Sequence, residues 1–179
     1  MAMSNRSLRK NITPKTKMLI YSSPCNPTGS VYTKEELKSI AELIASYNNI
    51  FIIADEIYEY INYTGKHESI AQFDFIYDKV ITVNGMSKGF AMTGWRIGYI
   101  GAPLVIAQAC DKLQGQFTSG ASSIAQRAAN AAVSSTDHST IETMKNAFLK
   151  RRDMMLGLLR EIPGIKSNVP DGAFYVFPE

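Results

Sequence analysis

The amino-acid sequence predicts an α/β fold in three layers, with a mostly parallel sheet flanked by helices. Three short segments are predicted to be strands: MLIYS at residues 18–22, FIIAD at 51–55 and KVITVNG at 79–85. Each is apolar over a continuous run, which is typical of strands buried on both faces of a parallel sheet. Strands that alternate with helical patterns indicate an α/β architecture.

The helix between the first two strands has a defined start. Thr33 and Glu36 have the spacing of a capping box, in which each side chain binds the backbone N–H of the other residue. Apolar residues then recur with helical periodicity at positions 37, 40, 41 and 44. We expect this helix to end near Asn48 and Asn49.

The second half of the chain is predicted to be mostly helical. A fourth strand is expected at residues 96–102, and helices follow it because apolar or alanine residues recur there at helical spacing. The last helix should end at Pro163 and Gly164, and GAFYVFPE at 172–179 should begin a further strand. The helical patterns lie around residues 106–113, 122–133 and 141–159.

Composition argues against several classes of protein. With 179 residues, 45% hydrophobic and 20% charged side chains, the chain is typical of a folded globular protein. Its net charge of +3 is too small to indicate binding to nucleic acid or to an anionic membrane. No apolar run reaches the roughly 18–20 residues of a membrane span, and the polar start lacks the apolar core of a signal peptide. We therefore expect a cytoplasmic protein.

Cysteine and histidine usage gives no indication of a metal site. The chain has two cysteines, Cys25 and Cys110, and two histidines, and it lacks a C-x-x-C pair. No zinc site is therefore expected. Two cysteines could form one disulfide, but we expect unpaired, buried thiols, as in a reducing compartment.

Unusual loops follow the three predicted strands: SPCNPTG, DEIY and SKGF. Ligands of open α/β sheets bind beyond the carboxyl ends of the strands, so these loops are expected to converge on one pocket. Each feature alone has a simpler explanation. Asn26 before Pro27 is common turn chemistry, and Asp55 could cap the turn that follows it. Arg96 could be a surface charge. All of these separate explanations would have to be true at the same time, whereas one functional pocket accounts for every residue. The sequence therefore favours a functional pocket.

Two interpretations based on Lys88 alone are weaker. A Walker loop needs G-x-x-x-x-G-K-[ST], whereas here Lys88 lies between Ser87 and Gly89, so a phosphate-binding P-loop is excluded. Ser87 and Lys88 could act as a nucleophile pair in acyl transfer. However, adjacent residues of an extended segment point in opposite directions, and that function leaves Asp55 and Arg96 without a role.

A lysine that forms a Schiff base with an aldehyde cofactor accounts for the whole set. Pyridoxal 5'-phosphate carries an aldehyde, a phenolic oxygen, a ring nitrogen and a phosphate, and its ring accepts electrons only while the nitrogen stays protonated. A carboxylate maintains that proton, and a guanidinium fork with hydroxyl donors suits the phosphate. The assignments are Lys88 for the aldehyde, Asp55 for the ring nitrogen, Arg96 and Ser87 for the phosphate, and Asn26 and Tyr58 for the phenolic oxygen.

Three motifs in this order resemble the signature of the class I aminotransferases. They are NPTG at residues 26–29, DEIY at 55–58 and SKGFAMTGWRIGY at 87–99, and GAFYVF at 172–177 resembles the start of the family's small domain. The chain most resembles the bacterial aspartate aminotransferase-like branch of the fold-type-I pyridoxal phosphate enzymes. The long third motif is highly specific, whereas NPTG or DEIY alone would be weak.

The resemblance implies a role for each motif residue. Lys88 would hold the cofactor and shuttle a proton between the substrate α-carbon and C4′ of the cofactor. Asp55 would pair with the pyridine nitrogen. Asn26 would share the phenolic oxygen with Tyr58 and help to position the substrate carboxylate. The phosphate ligands would be those assigned above, and no metal ion would take part.

The resemblance also implies how the chain is organised. Residues 1–148 would be part of the cofactor-binding large domain, and residues 149–179 an interdomain helix with the beginning of a small C-terminal α/β domain. Complete members are roughly twice this length, a size that needs more than one domain. The chain is therefore expected to be a central fragment that is inactive alone. The full-length protein would be a homodimer, with the loop at 117–123 near the interface.

The reaction implied is the transfer of an amino group between an amino acid and a 2-oxo acid, by a ping-pong double displacement. One alternative within the same fold is a pyridoxal phosphate-dependent carbon–sulfur β-lyase, which uses the same lysine and aspartate. A second is the effector domain of a transcription regulator, but no DNA-binding module is visible in the sequence. A third is a non-catalytic interaction fragment.

Overall fold

The computed structural model describes residues 5–179 and confirms the predicted α/β class. The strands are β1 at Met18–Ser22, β2 at Phe51–Asp55, β3 at Val80–Gly85 and β4 at Gly98–Gly101. They form one sheet in the order β1-β2-β3-β4. The first three are parallel and β4 runs antiparallel to β3, so the sheet is mostly parallel, as predicted.

Helices flank this sheet. Within the described range they are α1 at Asn5–Asn11, α2 at Lys34–Ala45, α3 at Leu104–Phe117, α4 at Ser123–Ser134 and α5 at Ser139–Arg160. The short helix α1 was not predicted, because seven residues are too few to show a periodic apolar pattern. None of the helices in residues 5–179 combines the length and the apolar composition that a membrane span requires.

Helix α2 begins where the sequence predicts. The Thr33 hydroxyl accepts a hydrogen bond from the Glu36 N–H at 3.2 Å, and the Glu36 carboxylate accepts one from the Thr33 N–H at 2.8 Å. Both bonds of the capping box are thus present. The helix ends slightly earlier than expected, because Ser46 hydrogen-bonds back to the Leu43 carbonyl at 2.7 Å. Its buried residues are Leu37, Ile40, Ala41, Leu43 and Ile44.

The two faces of the sheet differ in burial. Ile52 and Ala54 of β2 are fully buried and share the main hydrophobic cluster with α2. Ile53 and Asp55 on the opposite face are half-buried, and Ile20 of β1 is 65% exposed. The expectation of burial on both faces is therefore wrong for the described residues, since their apolar cover packs mainly against one face. Burial along β2 alternates with the side-chain period of a strand.

The helices after β4 are mostly exposed within the described residues. Helix α3 has no buried residue, so Cys110 is exposed, and the prediction of two buried thiols is wrong for this cysteine. Cys25 is half-buried, and both cysteines are free. Helix α5 buries Ile141 and Leu156. The predicted domain boundary after residue 148 lies inside this continuous helix and stays a prediction.

The C-terminal residues 172–179 do not form the predicted strand. Gly172 pairs with Asn62 only as an isolated bridge. Ala173 has a φ of 56°, so the backbone leaves the extended conformation at that residue. The Ala173 N–H donates to the Ile61 carbonyl at 2.7 Å. Contacts with the residues after β2 therefore hold this C-terminal segment in an irregular conformation instead of a regular strand.

Candidate active site

The three motif loops leave the sheet at one edge. Ser22 at the end of β1 pairs with Asp55 at the end of β2, and Asp55 pairs with Val83 near the end of β3. Side chains of residues paired in this way lie next to each other on the same face of the sheet. The loops with NPTG, DEIY and SKGF therefore begin at neighbouring positions, as the sequence predicts.

Two glycines bring the C-terminal segment against the first motif loop. Gly29 has a φ of +66°, and a Cβ built there would lie 2.3 Å from the Cβ of Pro170. A larger residue would therefore force the segment to move. The Gly29 carbonyl accepts hydrogen bonds from the N–H groups of Asp171 and Gly172, at 2.8 and 2.9 Å. Gly172 is confined in turn, because a Cβ there would lie 2.6 Å from the Cβ of Pro24.

Tyr175 is a functional candidate that was not predicted from the sequence. Its hydroxyl lies 2.5 Å from the Tyr58 hydroxyl, and the Asn26 amide donates a hydrogen bond to it at 3.3 Å. Three residues that are distant in the sequence thus form one polar network. The signal that could have found Tyr175 is an aromatic residue with a polar tip inside GAFYVF, since a buried tyrosine hydroxyl usually has a partner.

Tyr58 is held as a neutral hydroxyl. The residue is 3% exposed, and its ring packs edge-on against Phe174 and Tyr175, with centroids 5.3 and 5.7 Å apart. Burial raises the pKa of the Tyr58 hydroxyl well above its usual range, and its hydrogen bond with Tyr175 and the negative charge of Asp55 raise it further. Tyr58 therefore keeps its proton near neutral pH and can donate a hydrogen bond.

Asp55 presents a carboxylate at the end of β2. Its Oδ1 accepts a hydrogen bond from the Ile57 N–H at 3.2 Å, and its carbonyl accepts one from the Ser23 N–H at 3.0 Å. These two bonds fix the side chain to the turn and the backbone to the neighbouring loop. Asp55 lines a cavity of about 370 Å³ together with Asn26 and Cys25.

Lys88 lies in the turn directly after β3. Its Nζ is 5.8 Å from the centre of the Tyr58 ring and 5.5 Å from the centre of the Phe174 ring. The next residue, Gly89, lets the turn pack against Tyr60, because a Cβ there would lie 2.5 Å from Cδ2 of Tyr60. Among the described residues, no carboxylate forms an ion pair with Lys88. The amine is thus half-buried between aromatic rings without a fixed counter-charge.

Arg96 lies on the other side of the site, before β4. Its backbone is left-handed, with φ 54° and ψ 51°, a conformation that costs a non-glycine residue about 1–2 kcal/mol and is often found at functional sites. Because of this turn, β4 begins at Gly98 rather than at residue 96. The Arg96 Nη1 donates to the Thr93 carbonyl at 2.9 Å, and the side chain is exposed. Ser87 precedes Lys88 in the half-buried turn.

The predicted site residues lie around two cavities on the half-buried face of the sheet. The first cavity is lined by Asn26 and Asp55. Tyr58 is connected to Asn26 because both hydrogen-bond to the Tyr175 hydroxyl. Lys88 lies against the Tyr58 ring. Arg96 and Val83 line a second cavity of about 920 Å³. Since Asp55 and Val83 are adjacent in register, the two cavities are neighbours. The described contacts include none that joins Arg96 directly to Lys88.

The chain belongs to the family described as aminotransferase class I and II, whose model matches residues 4–179. Members of this family depend on pyridoxal phosphate. The match to this family therefore covers all the described residues, from α1 to the C-terminal segment.

Curated relatives match over nearly the same range. The chain is 47% identical over 173 residues to the bifunctional aspartate aminotransferase and glutamate/aspartate-prephenate aminotransferase of Petunia hybrida, covering 95% of this chain and 36% of that protein. It is 44% identical over 174 residues to a probable aspartate/prephenate aminotransferase of Rhizobium leguminosarum bv. phaseoli, covering 96% of this chain and 43% of that protein. The chain spans less than half the length of either relative.

Solved structures show the same fold. The aspartate aminotransferase from Rhizobium meliloti matches with a TM-score of 0.95 and 35% identity, over 99% of this chain and 44% of that one. The aromatic aminotransferase from Pyrococcus horikoshii OT3 matches with a TM-score of 0.94 and 38% identity, over 99% of this chain and 48% of that one. These matches confirm the predicted fold.

Proposed function

We propose that the full-length protein is a pyridoxal phosphate-dependent aminotransferase that transfers an amino group between aspartate and a 2-oxo acid. The observation that carries this proposal is the placement of Lys88 beside Tyr58, at the sheet edge where Asn26 and Asp55 line a cavity. Both curated relatives described above have aspartate in their printed names, which supports aspartate as the amino donor. The carbon–sulfur lyase and the effector domain are not favoured by any of the matches described.

The residues present fit this cofactor in their chemistry. Lys88 supplies a half-buried amine that has no carboxylate partner among residues 5–179, as an aldehyde-binding lysine needs. Asp55 supplies a carboxylate fixed at a strand end, and Tyr58 supplies a hydroxyl that keeps its proton. Ser87 and the Arg96 guanidinium supply donors suited to a phosphate. The left-handed backbone at Arg96 supports a role in binding.

When bound, pyridoxal phosphate supplies an electron sink for the bond broken at the substrate α-carbon. The Lys88 amine would take the proton from that carbon and return it. The Asp55 carboxylate would hold a proton at the ring nitrogen. The Tyr58 hydroxyl would donate to the phenolic oxygen, and the Asn26 amide would share that oxygen and orient the substrate carboxylate.

An amino-donor screen of the full-length protein with added cofactor tests this function. We expect amino transfer to 2-oxoglutarate from aspartate, at a higher kcat/KM than from alanine or aromatic donors. A screen in which no donor transfers its amino group would refute the proposal. Release of pyruvate and sulfide from cysteine without amino transfer would instead identify the carbon–sulfur β-lyase.

Tyr175→Phe in the full-length protein should lower kcat/KM for amino transfer by about 2–13-fold. The expected factor corresponds to the roughly 0.5–1.5 kcal/mol that one hydrogen bond contributes, because the Tyr58 hydroxyl loses its bond to Tyr175. Steady-state kinetics measure the effect, and Tyr47→Phe is the control. Tyr47 accepts a hydrogen bond from Lys79 through its backbone carbonyl, which the substitution leaves in place. Equal kcat/KM values in Tyr175→Phe and wild type would exclude Tyr175 from the site.

The assembly and the compartment of the full-length protein are also proposals. We propose a homodimer with the loop after α3 near its interface, supported by Phe117 and Ile124, which are 81% and 73% exposed. Large exposed apolar side chains in neighbouring segments of the chain favour a protein interface. We propose a cytoplasmic location, supported by the two free cysteines, since a reducing compartment keeps thiols unpaired.

A further inference from the structure

A second group of ionisable side chains lies beside β2, separate from the proposed active site. Glu56, Glu59 and His67 each offer one ligand atom, and these atoms all lie within 4.8 Å of one another. Glu56 follows Asp55 directly. Because successive residues of an extended segment point to opposite faces, the two carboxylates lie on different sides of the sheet. Glu56 is 4% exposed, whereas Asp55 lines the cavity on the half-buried face.

This cluster leaves buried polar atoms without partners. Glu56 Oε2 lies 2.9 Å from His67 Nε2. Glu56 Oε1 and His67 Nδ1 are both buried and, within residues 5–179, neither has a hydrogen-bond partner. Buried polar atoms in proteins are nearly always paired, because an unpaired one has lost its hydration without gaining a hydrogen bond. The unpartnered Oε1 of Glu56, a residue that is 4% exposed, indicates that a further ligand belongs in this cluster.

The charges of the cluster are also unbalanced. It contains two carboxylates, Glu56 and Glu59, and the only basic group in it is the His67 imidazole. No lysine or arginine among the described residues forms an ion pair with either glutamate. A divalent cation would neutralise both carboxylates and use the unpaired oxygen.

We propose that Glu56, Glu59 and His67 bind one zinc ion, with a water molecule as the fourth ligand. Two carboxylates and one imidazole form a donor set suited to zinc, and three protein ligands with water give its usual tetrahedral coordination. With bonds of about 2.0–2.2 Å, tetrahedral ligand atoms lie about 3.4 Å apart. The ligand atoms now lie within 4.8 Å of one another, and small side-chain rotations would bring them to this spacing. The distance of 2.9 Å between Glu56 Oε2 and His67 Nε2 would increase slightly.

Zinc titration of the full-length protein by isothermal calorimetry tests the proposal. The background carries Cys25→Ser and Cys110→Ser, because thiolates also bind zinc. We expect one zinc ion per chain, and at least about a tenfold loss of affinity in Glu56→Gln, Glu59→Gln and His67→Ala, since even outer-shell partners of zinc can contribute about tenfold. His138→Ala is the matched control, because the His138 ring contacts Ser135 and lies outside the cluster. Its affinity should equal that of the background.

Other outcomes are distinguishable. If no chain binds zinc, or if His67→Ala binds as tightly as the background, the site is a hydrogen-bonded histidine–carboxylate pair and the proposal is wrong. Circular dichroism checks that each variant is folded. If Glu56→Gln or His67→Ala does not fold, the deciding variant is Glu59→Gln, because Glu59 is partly exposed. Unchanged zinc affinity in Glu59→Gln would overturn the proposal. The test uses no pyridoxal phosphate and no substrate, so it is independent of the proposed enzymatic function.

Discussion

Replacing Lys88 with alanine in the full-length protein should abolish nearly all amino transfer. A methyl group can neither bind an aldehyde nor carry a proton, so the rate should fall by at least about 10³-fold, within the range of roughly 10²–10⁴-fold that a positioned acid–base group contributes. The turn that holds Lys88 is fixed by backbone packing at Gly89 rather than by the amine, so the fold should be retained. Steady-state assays measure the loss, and the visible absorbance of the bound cofactor should disappear with it.

Lys38→Ala is the matched control for this experiment. Lys38 is exposed on α2 and pairs with Glu42 at 3.8 Å, a surface contact of little energetic weight. The control should retain wild-type activity and absorbance. A Lys88→Ala protein that keeps more than a tenth of wild-type turnover would remove Lys88 from the catalytic role.

Replacing Asp55 with asparagine should lower kcat by about 10²–10³-fold, the usual effect of removing one preorganised electrostatic group. Asparagine keeps the size of the side chain and can still accept the hydrogen bond from the Ile57 N–H. The change therefore removes the negative charge that would hold a proton at the ring nitrogen. In contrast to Lys88→Ala, we expect the Asp55 variant to retain bound cofactor, so its absorbance persists while its turnover falls.

Asp78→Asn serves as the charge-matched control, because Asp78 is exposed in the 3-10 turn before β3. It should leave both kcat and cofactor absorbance unchanged. If Asp55→Asn retained kcat within twofold of the wild type, the ring-nitrogen role would be wrong. The two measurements together separate cofactor binding from catalysis.

The strands that form this edge of the sheet could be predicted, because the sequence patterns that indicate them are local. Continuous apolar segments identify β1, β2 and β3, and strands that alternate with helical patterns predict a mostly parallel sheet. The structure confirms the mostly parallel sheet and places Ser22, Asp55 and Val83 side by side. The capping box at Thr33 was equally predictable, since its two hydrogen bonds join residues three positions apart.

Predictions failed where distant contacts override local preference. GAFYVF has the composition of a strand, but Ala173 has a positive φ and hydrogen-bonds to Ile61. The apolar runs predicted burial on both faces, whereas the described residues bury mainly one face, so Ile20 is exposed. A composition pattern shows that a segment can be buried, but it does not identify the element that covers it.

The family, the order of the motifs and the donor groups predicted for the site all follow from the residues alone. These depend on residue identity and on hydrogen bonds and steric limits acting over a few positions. Only the tertiary structure decided that Tyr175 meets Tyr58, 117 positions earlier in the chain. It also placed His67 against Glu56, 11 positions away, with no partner for their other polar atoms within the described part of the chain. The physical reason is that such contacts depend on how the turns and the sheet register fold the chain back on itself, which no short segment encodes.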